Sequence, residues 1–74
     1  MGLRIALHEE LQDILVEQDN RWKTTTELAE EVNARGHYRT GDGSEVTPFH
    51  IHGQAKRYKG IFERDGSLVR LTTA

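Results

Sequence analysis

The sequence predicts an α+β fold in which three helices pack against a C-terminal β-hairpin. Three segments carry helix signals, either apolar residues at helical spacing or a polar residue that can cap a helix start. The C-terminal segment carries a strand signal, because two short apolar-containing runs flank an Asp-Gly dipeptide. With 74 residues, of which 35% are hydrophobic, the chain can build one modest core. We therefore expect residues 1–74 to form a single small domain.

The first predicted helix covers about residues 4–18. Its apolar residues recur every three or four positions and define one buried face: Leu3, Leu7, Leu11, Ile14 and Leu15. Acidic residues occupy positions between them, and we expect the neighbouring Glu9 and Glu10 to be solvated. The dipeptide Asp19-Asn20 ends the helix, and a short extended piece around Trp22 follows.

The second predicted helix covers about residues 25–35. Thr24 stands three residues before Glu27, which is the spacing of a capping box. Gly36 follows the last helical residue, where a left-handed C-terminal cap favours glycine. We expect three of the helix residues to be buried: Leu28, Ala29 and Val32.

The third predicted helix covers about residues 48–58 and follows a polar, Gly-containing loop. Tyr38 and Val46 are the residues expected to pin this exposed loop to the core. Thr47 is the expected N-cap, and Pro48 suits the first helical position because the amide there would be unpaired anyway.

The predicted hairpin covers about residues 61–72, with Asp65-Gly66 as a type I′ turn. This turn would pair Arg64 with Ser67 and Phe62 with Val69. Phe62, Val69 and Leu71 would then face the core, whereas Arg64 and Arg70 would face water or a partner. The order of elements, three helices followed by a hairpin, is that of a small winged helix-turn-helix.

The third helix has two different sides when its residues are projected at about 100° per residue. Four residues are predicted to pack inward: Pro48, Ile51, Ala55 and Tyr58. The outer side carries Phe49, Gly53, Lys56 and Arg57, with His50 and His52 beside them and Gln54 near the boundary. An outward Phe49 would suit a partner-binding face, and the alternative is that its ring folds back under the loop before the helix.

The sequence offers no pattern for catalysis, metal binding or a cofactor. His50 and His52 lie roughly 160° apart around a helix axis, so they cannot chelate one ion from a regular helix. Cysteine is absent, and no motif places a nucleophile beside a base. No apolar run has the length of a signal peptide or membrane span, so we expect a cytoplasmic protein without membrane contact, associated with the nucleoid if the source is prokaryotic.

The charge distribution is uneven along the chain. The net charge is -2, but residues 1–36 contain four Lys/Arg and eight Asp/Glu, whereas residues 37–74 contain six and four, giving -4 and +2. A domain of this kind can present one basic face in spite of an acidic total.

Two stretches, "TTTELAEEVNARGHY" and "DGSEVTPFHIHGQAKRYKGIFERDGSLVRL", resemble the HARE-type winged helix-turn-helix. This small domain is named for homeobox proteins, additional-sex-combs-like proteins and restriction endonucleases, and the resemblance covers roughly residues 4–72. Its most specific parts are the long Gly-containing loop and the "FERDGS" hairpin. The resemblance implies a non-catalytic module that binds double-stranded DNA, with a link to modified cytosine and to nucleases or transcription regulators. A related domain of the RNA polymerase delta subunit serves a protein partner.

The leading hypothesis is a DNA-binding module with the third helix in the major groove and the hairpin on the backbone. The predicted contact residues lie in the loop, the third helix and the wing: Arg39, Thr47, Phe49, His50, Gly53, Gln54, Lys56, Arg57 and Arg64. Thr47 would hold a phosphate, Phe49 would contact the methyl group of thymine or 5-methylcytosine, and Arg39 and Arg64 would clamp flanking phosphates. The module would serve a tethered or separate effector, in restriction-modification or transcription regulation.

The alternative hypothesis is a protein-interaction winged helix. In this interpretation the acidic first and second helices, or the exposed Phe49, dock a polymerase or an enzyme subunit. The net negative charge favours this alternative, because it repels a polyanionic partner such as DNA.

Overall fold

Three helices and a three-stranded antiparallel sheet make up the fold. The structure is a computed structural model that describes residues 6–36, 38, 40 and 43–72. In chain order its elements are α1 (Leu7–Glu17), β1 (Lys23–Thr24), α2 (Thr25–Arg35), α3 (Pro48–Arg57), β2 (Phe62–Asp65) and β3 (Leu68–Leu71). The strand order is β1-β3-β2. This α+β architecture is consistent with a winged-helix-like fold.

The first helix begins at Leu7, three residues after the predicted start, because Ala6 is its extended N-cap and donates its main-chain N–H to Glu9 Oε1. The helix buries the apolar face that its periodicity predicts. Leu7, Leu11, Ile14 and Leu15 are all buried, whereas Leu3 lies outside the described residues. The expectation that Glu10 is solvated is wrong, because its side chain is only 1% exposed. Residue 10 lies three positions after Leu7 and four before Ile14, so it falls on the buried face. The helix ends before Asp19 and Asn20, which have φ angles of 61° and 54°.

The second helix has the predicted bounds and both predicted caps. Glu27 N–H donates to the Thr24 hydroxyl at 3.0 Å, and Thr24 N–H donates to Glu27 Oε1 at 3.0 Å. This reciprocal capping box satisfies two amides that the helix itself leaves unpaired. Gly36 has a φ of 69°, the left-handed conformation expected for it.

The core lies between the helices and the inner face of the sheet. Twelve described hydrophobic residues form it: Leu7, Leu11, Ile14, Leu15, Leu28, Ala29, Val32, Val46, Ile51, Ala55, Phe62 and Val69. Tyr38, Tyr58, Ile61 and Leu71 are partly buried against this cluster. Tyr38 and Val46 therefore attach the loop before α3 to the core, as predicted.

The hairpin register differs from the predicted one. Asp65 pairs with Leu68, Arg64 with Val69 and Phe62 with Leu71, so Gly66 and Ser67 form the turn instead of Asp65-Gly66. Gly66 has a φ of 63°, and glycine at the first central position is typical of a type II′ turn. Each partner has shifted by two residues, which keeps the same side chains on the same face. Phe62 and Val69 are accordingly buried as expected.

The extended piece before α2 is a strand that completes the sheet. Lys23 pairs with Val69 and Thr24 with Leu68, so β3 is the central strand. Asn20 adds to this edge, because its side chain donates to the Leu71 carbonyl at 3.1 Å and accepts from the Leu71 N–H at 2.7 Å. Among the described residues, no helix combines the length and apolar character needed to cross a membrane.

Candidate nucleic-acid interface

The start of α3 is held by the two residues that flank its first turn. The Thr47 main-chain N–H donates to His50 Nδ1 at 3.0 Å, and the Thr47 hydroxyl lies 3.2 Å from the same nitrogen. His50 therefore caps its own helix, in the position where a capping box has Glu or Gln. Because Nδ1 accepts this bond, the neutral ring carries its proton on Nε2, and Nε2–H is the donor left for a ligand.

Pro48 is exposed, so its predicted inward position is wrong. Val46, two residues earlier, is buried in the core at this end of α3. The other inward residues are placed as predicted, with Ile51 and Ala55 buried and Tyr58 partly buried. The His8 and Tyr58 rings stack with centroids 4.3 Å apart, which ties α1 to the end of α3.

The outer face of α3 exposes an aromatic ring in its first turn. Phe49 is 86% exposed, so the alternative in which its ring folds back under the preceding loop is wrong. His52, Gly53, Lys56 and Arg57 are exposed with it, and Gln54 is half-buried at the boundary. An exposed ring of this size leaves apolar surface that a partner could cover.

Gly53 is exposed on this face, one helical turn after Phe49. A Cβ built at position 53 would meet nothing within 4 Å, so the fold does not require glycine there. Glycine in a helix interior costs about 1 kcal/mol relative to alanine. Glycine at position 53 therefore lowers helix stability, and no contact of a Cβ within 4 Å accounts for it.

Exposed cations that have no carboxylate partner in the described part of the chain lie near the end of α3 and on β2. Lys56, Arg57, Lys59 and Arg64 are exposed, and none of the four forms an ion pair within the described part of the chain. The Arg57 guanidinium lies 5.8 Å from the Tyr58 ring centroid. Sequence reasoning missed Lys59, although its position three residues after Lys56 placed it near the same end of the helix. The predicted contact residue Arg39 lies outside the described residues.

The two arginines of the hairpin differ in their availability. Arg64 is exposed, and its Nη1 lies 2.7 Å from His52 Nε2 on α3. Arg70 is only half-buried but is engaged twice, because it pairs with Glu63 and its guanidinium lies 4.4 Å from the Trp22 ring centroid. Arg64 therefore remains available to a ligand, whereas Arg70 belongs to the sheet.

The first two helices, α1 and α2, carry much of the acidic charge of the described residues. Arg35 of α2 pairs with Glu17 of α1 at 2.7 Å, and this hydrogen bond lowers the pKa of Glu17 and raises that of Arg35. Glu9, Asp13 and Glu30 are exposed on the same two helices. The described residues contain no group of three or more His, Cys, Asp or Glu side chains that could hold a metal ion.

Comparison with known proteins assigns no family. The chain matches no protein-family model, and neither the curated proteins nor the solved structures give a significant match. The chain's own residues and their geometry are therefore the basis for inferring its function.

Proposed function

We propose that this chain is a non-catalytic DNA-binding module of the winged helix-turn-helix type. In this proposal α3 lies in the major groove and the β2–β3 hairpin contacts the backbone. The observation that carries it is the outer face of α3, where Phe49 is 86% exposed and is followed by Gly53 and unpaired cations.

The order of elements supports the recognition role of α3. A winged helix-turn-helix places a recognition helix third, followed by a hairpin, and this chain has α1, β1, α2, α3, β2 and β3 in that order. The resemblance of the loop and the "FERDGS" hairpin to HARE-type domains supports the same assignment. It also suggests that the module directs a nuclease or transcription regulator to its site.

The side chains of the outer face match the chemistry of a major groove. Gln54, Lys56 and Arg57 can bond base edges or phosphates, and His50 can donate from Nε2. Phe49 in the first turn can contact the methyl group of thymine or 5-methylcytosine. Gly53 would let the helix backbone approach the duplex closely.

The charge of the domain limits its affinity. Four exposed cations lie on the α3 and hairpin surface, and the net charge of the chain is -2. Because non-specific affinity for DNA comes from phosphate neutralisation, we expect binding in the micromolar range for the isolated domain. Useful occupancy would then need a dimer or a tethered effector.

A duplex titration tests the proposal. Labelled duplexes with and without 5-methylcytosine are titrated at two salt concentrations with the wild type, Arg57→Glu, Phe49→Ala and the control Arg21→Glu. Arg21 is exposed in the segment between α1 and β1, so its variant makes the same charge change outside the proposed interface. We expect Arg57→Glu to lose at least about tenfold in affinity and Arg21→Glu to lose much less.

Two results would end the proposal. One is that the wild type binds neither duplex even at low salt. The other is that Arg57→Glu and Arg21→Glu bind equally well. A preference for the methylated duplex that disappears in Phe49→Ala would identify methyl readout.

A protein-binding winged helix is the second candidate function. One observation favours it: Val16 of α1 is 65% exposed, next to the exposed Asp13 and Glu17. A partner with an apolar residue flanked by cations would fit this surface. Failure of the wild type to bind either duplex would turn attention to it, and Val16→Ser would then be expected to weaken capture of the partner.

A further inference from the structure

The side chains of His52 and Arg64 connect α3 to the hairpin. Arg64 Nη1 lies 2.7 Å from His52 Nε2 and 3.1 Å from His52 Nδ1. The residues are 12 positions apart in the chain, and both are exposed. We propose that His52 is a positioning residue that holds Arg64 beside α3, so that helix and hairpin present one continuous phosphate-binding surface. This inference rests on the proposed DNA binding.

The hydrogen-bonding capacity of the two groups allows this role. A guanidinium has five N–H donors and a neutral imidazole has one acceptor nitrogen. The contact with His52 engages Nη1 of Arg64, so Nη2 and Nε remain for phosphate oxygens. The ligand would therefore meet an arginine that is already oriented.

The absence of a negative charge on the histidine distinguishes this contact from the other arginine contact in the hairpin. Arg70 is held by the carboxylate of Glu63, which cancels its charge. His52 orients Arg64 without adding a negative charge, so the full positive charge of Arg64 stays available. Lys56, one turn after His52 on α3, adds a second cation to the same surface.

Arg64 lies at a position where a contact is needed to restrict its side-chain rotamer. It lies on β2, an edge strand of the sheet, one residue from the exposed end of the strand. Exposed arginine side chains sample many rotamers, and fixing one on binding costs affinity. A contact that fixes the rotamer beforehand reduces that cost.

The test is a double-mutant cycle on duplex affinity, measured by anisotropy with the full chain at low salt. The variants are His52→Ala, Arg64→Ala and the double variant, with Arg21→Ala as a matched control for an exposed arginine outside this surface. We expect each single variant to weaken binding about 2- to 10-fold. In the Arg64→Ala background, His52→Ala should have no further effect, because His52 acts only through Arg64.

Two conservative variants separate positioning from other roles. His52→Gln retains a neutral acceptor and should recover most of the affinity lost in His52→Ala. His52→Glu can also hold Arg64 but cancels its charge, so it should bind at least as poorly as His52→Ala. Arg64→Ala should also lower the slope of log affinity against log salt by about 1, as expected for one lost phosphate contact.

Three outcomes would overturn the inference. If the wild type binds duplex but the losses from His52→Ala and Arg64→Ala are additive, His52 acts independently of Arg64. If His52→Glu binds duplex as tightly as His52→Gln, the absence of a negative charge at position 52 is irrelevant. If the wild type binds no duplex at all, the proposed function is overturned and this inference falls with it. Thermal unfolding of each variant checks that the exposed substitutions leave the fold intact.

Discussion

Asn33 of α2 forms two hydrogen bonds with the main chain of Val46. Its Nδ2 donates to the Val46 carbonyl oxygen at 2.9 Å, and the Val46 N–H donates to Asn33 Oδ1 at 2.8 Å. Val46 is buried and immediately precedes Thr47, the N-cap of α3. The amide of Asn33 thus replaces a strand partner for Val46 and sets where α3 begins relative to α2.

Asn33→Ala should destabilise the protein by about 1–3 kcal/mol, because it leaves the buried N–H and carbonyl of Val46 without these partners. Urea denaturation measures the change. Glu30→Ala on the same helix is the control, since Glu30 is exposed and should change stability by no more than about 0.5 kcal/mol. Equal stability of the two variants would mean that this pair of hydrogen bonds does not hold the loop.

Gly53→Ala should raise the unfolding free energy by about 1 kcal/mol while weakening DNA binding. In the free protein the added methyl group would meet no atom within 4 Å. In the proposed complex it would lie between the α3 backbone and the duplex. Gly36→Ala is the contrasting variant and should destabilise by about 1–2 kcal/mol, because Gly36 has a φ of 69°. A more stable Gly53→Ala protein with unchanged duplex affinity would rule out close approach at position 53.

The capping box of α2 should make stability depend on pH in the acid range. Hydrogen bonds from the Thr24 N–H and hydroxyl lower the pKa of Glu27 from its ordinary value of 4.5. A folded-state pKa below the unfolded value gives stability that is present above pH 4.5 and is lost as pH falls through the lowered pKa. The free energy of unfolding should therefore fall less between pH 6 and pH 3 in Glu27→Gln than in the wild type, as measured by denaturation at both pH values.

The Glu17–Arg35 pair gives an independent check on the same range. The hydrogen bond from Arg35 lowers the pKa of Glu17, so Glu17→Gln should also reduce the acid loss of stability. The combined Glu17→Gln and Glu27→Gln variant should show a smaller loss than either alone. An acid loss equal to that of the wild type in all three variants would contradict both assignments.

Trp22 should report on the contact between Arg70 and the sheet. It is the sole tryptophan of the chain, and the Arg70 guanidinium covers its ring at 4.4 Å. Arg70→Ala should shift the emission of Trp22 to longer wavelength and lower the unfolding free energy by about 0.5–1 kcal/mol. Arg64→Ala is the matched control, because Arg64 contacts His52 and not Trp22. This variant should leave the emission of Trp22 unchanged.

Local signals in the sequence determined that there are three helices, both ends of α2 and the start of α3. The bounds of α2 follow from Thr24, Glu27 and Gly36, whose effects act within one helical turn. The two sides of α3 likewise follow from helical periodicity, which placed Phe49, Gly53 and the cations outward. These features depend on residues close together in the chain, so a single sequence was sufficient to predict them.

The hairpin register required contacts that no local signal encodes. A shift by two residues leaves the same side chains on the core face, so the alternation of apolar and polar residues fits both registers equally well. In the structure, β3 also pairs with β1, and Asn20 binds the main chain of Leu71. These distant partners accompany the register in which Gly66 and Ser67 form the turn.

The composition of the candidate site was decided partly by sequence and partly by tertiary structure. The sequence by itself determined which side of α3 faces outward, because the helical period and the apolar residues Ile51 and Ala55 define the inner side. Only the tertiary structure brought His52 beside Arg64 and separated Arg64 from the engaged Arg70. Each of these outcomes depends on how separate elements pack, and packing brings together residues whose spacing in the chain carries no signal of their contact.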